Sequence, residues 1–230
     1  EKGKTVIFIS HRMEEVHEIG DRVTVFKDGE YVGTRVIAEI NNDDLIRMMI
    51  GRSINAVYPP KSTVRTNNVI FSAKNLNLSN TLKDISLDVF EGEILGVAGI
   101  QGHGQTELMN ALGGALACQS GTICIHQQPV KIKSTKQAIA SGISLVPSDR
   151  KTEGLLLDLP IRQNLALTSL KDRKRMRMFI DKKKEEAFSH DMVKRLSIKT
   201  HSINSLASSL SGGNQQKVVL GKAIATSPKV

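Results

Sequence analysis

ILGVAGIQGHGQTELMNALG, residues Ile94–Gly113, is the stretch whose reading decides the fold. Ile94, Leu95, Val97 and Ala98 make a short apolar run of the kind that forms a buried strand. The run breaks at Gly99, and Gly102 and Gly104 follow within six residues. A helical pattern then begins, with Leu108, Ala111 and Leu112 on one face. Strand, glycine loop, helix is the setting of a phosphate-binding loop. Against the template G-x-x-x-x-G-K-[ST], the chain matches at Gly99, Gly104 and Thr106 and departs at Gln105, where the template has lysine. The lysine reaches the β/γ-phosphates of a bound nucleotide, so the departure falls on the loop's main charged group.

Bulk properties bound the alternatives. The 230 residues, 40% hydrophobic, suffice for one or two ordinary domains. No run of about 18 apolar residues exists to span a membrane as a helix. The opening EKGKTVIFIS lacks the apolar core of a secretory signal and an initiator methionine, so it reads as the inside of a longer protein. Cys118 and Cys124 lack metal or disulfide spacing and read as reduced thiols without a role. The net charge of +9 is concentrated in KDRKRMRMFIDKKK, Lys171–Lys184. Aromatics are 3% with no tryptophan, which leaves few stacking platforms for nucleic acid. A solvated basic loop is the simplest reading, and a face toward anionic lipid the next. On the second reading, neutralising its lysines weakens attachment to anionic liposomes.

Working outward, Thr5–Ser10 reads as a strand ending at His11, and Glu14–Gly20 as a helix. Arg22–Lys27 and Glu30–Arg35 flank Asp28-Gly29 as a hairpin. Asn42 caps a helix over Asp43–Ile50 that stops at Gly51. Arg52–Asn68, with Pro59-Pro60 and no periodicity, is a linker. Val69–Asn75 and Ile85–Val89 alternate like antiparallel strands, Gly121–His126 and Ile143–Val146 are further strands, and Thr135–Ser141 a helix. Arg162–Leu170 and Lys182–Leu196 are helical, the latter with Phe188, Met192 and Leu196 four apart. His17, His103, His126, His190 and His201 show no ligand spacing and read as surface residues, although His103 lies inside the glycine loop. Strands and helices alternating around a glycine loop argue for an α/β protein.

A second motif, LSGGNQQK at Leu210–Lys217, opens the helical run Gln215–Thr226. Ser211 is placed to cap it, and Gly212 and Gly213 let the backbone approach a ligand. A helix N-terminus with unpaired N–H groups and partial positive charge suits an anion.

Together these segments resemble the ATPases of ABC transporters. LSGGNQQK is similar to their signature motif, Gly99–Thr106 to their Walker A loop, VPSDR at Val146–Arg150 to their Q-loop, and Ile9-Ser10-His11 with RMEEV to their switch-histidine segment. VPSDRKTEGLLLDLPIRQNLAL and LSGGNQQKVVLGKAIATSPKV resemble the tandem ATPase subunits of simple-sugar importers of the ribose, xylose and galactose type. The histidine precedes the other motifs, and the chain ends at Pro228-Lys229-Val230, ahead of a Walker B strand. The resemblance therefore implies the end of a first ATPase domain (1–51), a linker (52–68) and the front of a second (69–230). Its fold would be a P-loop NTPase core with an antiparallel β subdomain and a helical signature subdomain.

The resemblance also implies roles. ATP and Mg²⁺ are the expected ligands, with His11 catalytic. Gly99, Gly102, His103, Gly104, Gln105, Thr106, Ser211, Gly212 and Gly213 would bind nucleotide, and Thr106 and Ser148 would face the metal. His11 and Ser211–Gly213 would share one composite site, while Gly99–Thr106 serves the other. There, Gln105 removes a cation worth on the order of 4 kcal/mol at about 4 Å from a phosphate. Ser148 stands at the Q-loop glutamine, and Leu76–Asn80 holds no aromatic for an adenine. The implied function is the motor of an importer for a simple sugar or a nucleoside, with a degenerate second site. It would sit on the cytoplasmic face of the membrane, touch permease subunits through 151–209, work with a periplasmic or surface solute-binding protein, and use no nucleic acid. Its rivals are a soluble tandem ABC ATPase acting on ribosomes or DNA, disfavoured by the short proline-containing connector, and a non-hydrolysing nucleotide-binding scaffold.

Overall fold

A computed structural model describes residues 3–10, 12–27, 29–51, 66–100, 102–175 and 179–230. The chain divides into two units, Glu1–Thr63 and Val64–Val230. In the first, helix α1 (Met13–Ile19) is followed by strands β1 (Arg22–Lys27) and β2 (Glu30–Val36), which pair antiparallel with Lys27 opposite Glu30. Helix α2 (Asn42–Ile50) buries Leu45 completely. Its N-cap is Asn41, one residue before the expected Asn42, and its side chain accepts a hydrogen bond from the Asp44 N–H at 2.8 Å. Asn42 is already in the helix, where its own side chain cannot satisfy the first-turn donors. At the other end Gly51 takes a left-handed φ of 81°, and Lys27 donates from Nζ to the Ile50 carbonyl at 3.2 Å.

The second unit is built on a four-stranded antiparallel sheet in the order β4-β3-β5-β6. Its strands are β3 (Val69–Leu78), β4 (Leu82–Phe90), β5 (Ser120–Ile125) and β6 (Gln128–Val130). Phe71, Ala73, Leu76, Leu82, Ile123 and Ile125 form a core with Leu108 and Ala111 of helix α3 (Gln105–Leu112) and Ala138 of helix α4 (Thr135–Ala140). The expected helix face of Leu108, Ala111 and Leu112 is thus the face that packs.

A second core lies among helices α5 (Ile161–Ala166), α6 (Lys182–Arg195) and α7 (Gly212–Ile224). Ile161, Leu165, Met192, Val218 and Val219 fill it, with Phe188 and Leu196 packed at its edge. The helix expected over Arg162–Leu170 ends early. Beyond Ala166 the chain tightens to a 3₁₀ path with a kink at Ser169, φ −124°. Ser169 Oγ donates to the Ala166 carbonyl, and Arg173 Nη1 donates to the Ser169 carbonyl and hydroxyl, so side chains compete with the helical ladder. Arg173 is buried with its guanidinium 3.5 Å from the Phe188 ring centre, so this cation of the basic stretch does not face solvent. Short strands β7 (Lys174–Arg175) and β8 (Phe179–Ile180) pair beyond it.

Three apolar runs that read as strands do not pair as strands among the described residues. Ile94 is 97% exposed and Val97 43%, with no strand beside them among the described residues. Val6, Ile7 and Ile9 are likewise exposed outside any sheet. Over Ile143–Val146, Ile143 is buried, and the neighbouring bonds among the described residues are Ser144 N–H donating to the Val230 carbonyl at 3.0 Å and the Lys229 and Val230 N–H groups donating to that of Gly142. An apolar run carries the wish for burial, but a strand exists only where a neighbour takes up its N–H and C=O groups. No helix is long and apolar enough to cross a membrane among the described residues.

Candidate functional site: two glycine-rich helix starts

The glycine loop leads into α3 from Gly104, whose φ of 99° is left-handed. Gly104 is buried, and a Cβ there would lie 3.2 Å from Leu82 and 3.3 Å from the Thr81 carbonyl, so the start of α3 is fixed against the β3–β4 turn. The first intrahelical bond is from Leu108 N–H to the Gly104 carbonyl at 2.8 Å. The N–H groups of Gln105, Thr106 and Glu107 therefore have no partner within the helix. Gly102, His103 and Thr106 are exposed. Gln105 turns back, its Nε2 donating to the Ile100 carbonyl at 3.2 Å, and a Cβ on Gly99 would overlap that amide nitrogen. Ser148, the other hydroxyl expected to face a metal, is exposed. Groups of three or more carboxylate, thiol and imidazole side chains able to hold a metal are absent among the described residues. His11 lies outside the described residues.

Helix α7 starts one turn earlier than its sequence pattern suggests, taking in Gly212 and Gly213. Ser211 is its N-cap by position, yet its hydroxyl accepts from Asn214 Nδ2 at 3.0 Å instead of capping a backbone N–H. Gln215 N–H to the Ser211 carbonyl, 2.9 Å, is the first helical bond, which leaves the N–H groups of Gly212, Gly213 and Asn214 without intrahelical partners. A Cβ on Gly213 would meet open space.

Around this start the scaffold is closely cross-linked. Asn214 Oδ1 accepts from Lys199 N–H, Lys217 Nζ donates to the Ser197 carbonyl, and buried Gln215 donates from Nε2 to the Ala207 carbonyl. A cavity of about 570 Å³ beside Ser211 is lined by Lys199, Thr200, His201, Ser209 and Asn214.

Arg150 is a residue that the sequence reading passed over. Its Nε donates to Gln215 Oε1 at 3.3 Å, and its Nη2 lies 2.9 Å from where a Cβ on Gly212 would stand. A fixed cation thus lies against the N-terminus of α7, where the helix dipole already favours negative charge. The turn that carries it is held by Asp149. Its carboxylate accepts from the Lys151 and Thr152 N–H groups, which hold it below the usual carboxylate range. Lys222 Nζ donates to the Gly154 carbonyl, joining the end of that turn to α7, and burial pushes its ammonium below the ordinary lysine value. Only the five-residue spacing of VPSDR hinted at this; nothing in it says which way Arg150 points.

The remaining candidates separate cleanly. His103, His126, His190 and His201 are exposed, while His17 is half-buried, and its Nε2 has no partner among the described residues. Both cysteines are free and half-buried, and burial pushes the Cys118 thiol up, away from reactivity.

A sheet-and-helix core with a glycine loop, joined to a helical part whose last helix starts at Ser-Gly-Gly, defines an ATP-binding cassette. The family model described as ABC transporter matches residues 82–230, and the chain belongs to that family. It is similar over its whole length to "Ribose import ATP-binding protein RbsA" of Shouchella clausii (41% identical, 46% of the relative) and of Clostridium tetani (41%, 45%). The "Putative ribose/galactose/methyl galactoside import ATP-binding protein 2" of Rhizobium meliloti is 39% identical, with 44% of it covered. The chain spans about half the length of the curated relatives it matches. Among solved structures, a nucleotide-free ATP-binding cassette from an ABC transporter aligns at TM-score 0.57 and 21% identity, covering 70% of this chain and 66% of that one. Clostridium perfringens cbiO1, part of an ABC transporter complex, aligns at 0.54 and 20%, covering 70% and 63%. These two share the fold.

Proposed function

We propose that the chain is part of the ATP-driven motor of an importer for simple sugars of the ribose class. Residues 1–51 close a first ATPase domain, 52–68 connect, and 69–230 open a second. Hydrolysis is carried by the composite site that takes Ser211, Gly212 and Gly213, with His11 as its catalytic histidine. The site containing Gly99–Thr106 is degenerate. The observation that carries this reading is the contrast in fit at the two helix starts. At α7, N–H groups without helical partners, the open face of Gly213 and the Arg150 guanidinium suit a triphosphate. At α3, the exposed Thr106 hydroxyl suits Mg²⁺, but lysine is missing and Gln105 lies against Gly99. When bound, ATP supplies the phosphoanhydride whose cleavage reopens the closed assembly.

The segment 151–209 faces the membrane permease. In its support, Leu156, Leu159 and Leu206 are exposed, and Leu159 and Leu206 are brought together where the Ala207 N–H donates to the Leu159 carbonyl and Pro160 bridges Leu206. The relatives' printed function, ribose import, supports the sugar class. The test is steady-state ATP hydrolysis by the full-length protein with its permease. His11→Ala loses about a hundredfold or more in turnover, the scale of losing a catalytic acid–base group, while Gln105→Ala changes it little. Equal losses refute the asymmetry.

A further inference from the structure

Leu155, Leu156 and Leu157 follow one another in sequence, yet the fold treats the middle one differently. Leu155 is buried and Leu157 packs at the edge of the helical core, while Leu156 is 47% exposed. Leaving a leucine in water forgoes the gain of burying it, so the backbone beneath it has to be held.

The holder is Asn164 of α5, a completely buried side chain. Its carboxamide pairs with Leu156 at two points. Oδ1 accepts from the Leu156 N–H at 2.9 Å, and Nδ2 donates to the Leu156 carbonyl at 2.9 Å. Nδ2 also reaches the Leu159 and Pro160 carbonyls, each at 3.3 Å. A planar amide offers a donor and an acceptor side by side, as the peptide of a neighbouring strand would. An ionised carboxylate lacks the donor, and an aliphatic chain lacks both. The Leu159 N–H closes the turn on the Leu156 carbonyl at 3.0 Å. From the other side, the Ala207 N–H donates to the Leu159 carbonyl and Pro160 bridges Leu206. Leu156, Leu159 and Leu206, all exposed, therefore stand on one braced frame, with Asp158 exposed in the same turn.

Apolar side chains fixed at the surface around one carboxylate suit a partner segment that is apolar and carries a cation at its edge. Cytoplasmic loops of membrane proteins are enriched in lysine and arginine, which matches a permease. We propose that Asn164 is a positioning residue for permease docking: its carboxamide sets the Leu156–Leu159 turn so that Leu156, Leu159 and Leu206 meet an apolar, basic-edged cytoplasmic segment of the permease. This rests on the reading of segment 151–209 as permease-facing. Asn164 acts through the turn and not on nucleotide.

The experiment measures the affinity of the full-length protein for its permease in lipid nanodiscs, with thermal midpoints recorded beside it. Asn164→Ala is compared with Met192→Ala, a truncation in the same helical core but away from the turn's hydrogen bonds. Asn164→Ala is expected to weaken binding about tenfold or more, and Met192→Ala less than about twofold. Binding by Asn164→Ala at the wild-type level, or both variants weakening alike, overturns the positioning role. Leu156→Ser and Leu206→Ser, combined in one chain, separate the proposal from the reading beneath it. Loss of binding there with Asn164→Ala unaffected overturns positioning alone. Unchanged binding in the leucine variant overturns the permease-facing reading as well. A third measurement needs no change at position 164. Amide exchange in the wild-type protein without permease is expected to show the Leu156 N–H protected like the amides of α5. Exchange at the speed of an open loop overturns the braced turn.

Discussion

Helices α3 and α7 both begin at glycines and both leave first-turn N–H groups without helical partners, but they differ in what stands behind those groups. Behind α7 are three amide or ammonium side chains tied to backbone, a buried core on two neighbouring helices, and Arg150 held by Gln215. Ahead of α3 the approaching residues, Ile94–Gly99, are exposed, and the loop's one side-chain hydrogen bond among the described residues is its own Gln105 to Ile100. Recognition of a triphosphate requires donors already fixed in place, because an anion that must first order its own site gives up affinity to do so. One start is built in advance; the other is not.

The comparison can be broken most forcefully at the scaffold of α7. Buried Glu185 accepts from Arg162 Nη1 at 2.8 Å, and Arg162 Nε also reaches Asn204, tying α6 to α5 and to the segment before the signature. Glu185→Leu leaves a mostly buried guanidinium unpaired and is expected to cost about 3 kcal/mol in chemical denaturation. A cost under about 1 kcal/mol removes the pre-built scaffold from the account. Next in size, Gly213→Arg places a long side chain in the open space before α7. ATP turnover of the full-length protein is expected to fall roughly a hundredfold, about 2.7 kcal/mol, with the folded state retained by circular dichroism. Smaller again, Arg150→Gln removes the cation and keeps a donor for Gln215. A roughly tenfold rise in the KM for ATP is expected, about 1.4 kcal/mol, and no rise means that Arg150 only braces its turn. Smallest of all, Ile94→Ser on the exposed run changes stability by no more than about 0.5 kcal/mol. A large loss there would show that the run is buried and erase half of the contrast.

Much of this architecture could be read from residue order. The Asp28-Gly29 hairpin signal, the alternation in Val69–Val89 and the four-residue spacing of Phe188, Met192 and Leu196 each name a partner implicitly. The β1–β2 and β3–β4 pairs are closed by neighbours in sequence, and the helix face is marked by its own period. The runs Thr5–Ser10, Ile94–Ala98 and Ile143–Val146 name none, so period and composition reported their hydrophobicity correctly and their pairing incorrectly. At the site, the glycines and Ser211 were legible because they are backbone requirements. The turn of Gln105 back to Ile100 and the reach of Arg150 to Gln215 were not, since each depends on a side-chain rotamer that residue order does not state. Asn41 in place of Asn42 is the ordinary one-residue uncertainty of a helix end.

The bare Ile94–Ile100 run also has a consequence for the chain's birth. It is short, β-branched in part, free of proline and uncharged, the composition that pairs with any available strand edge. Among the described residues it is uncovered, with Ile94 97% and Ile100 72% exposed. Wherever that run is still uncovered, a nascent chain presents a sticky ribbon of the kind a holding chaperone takes up.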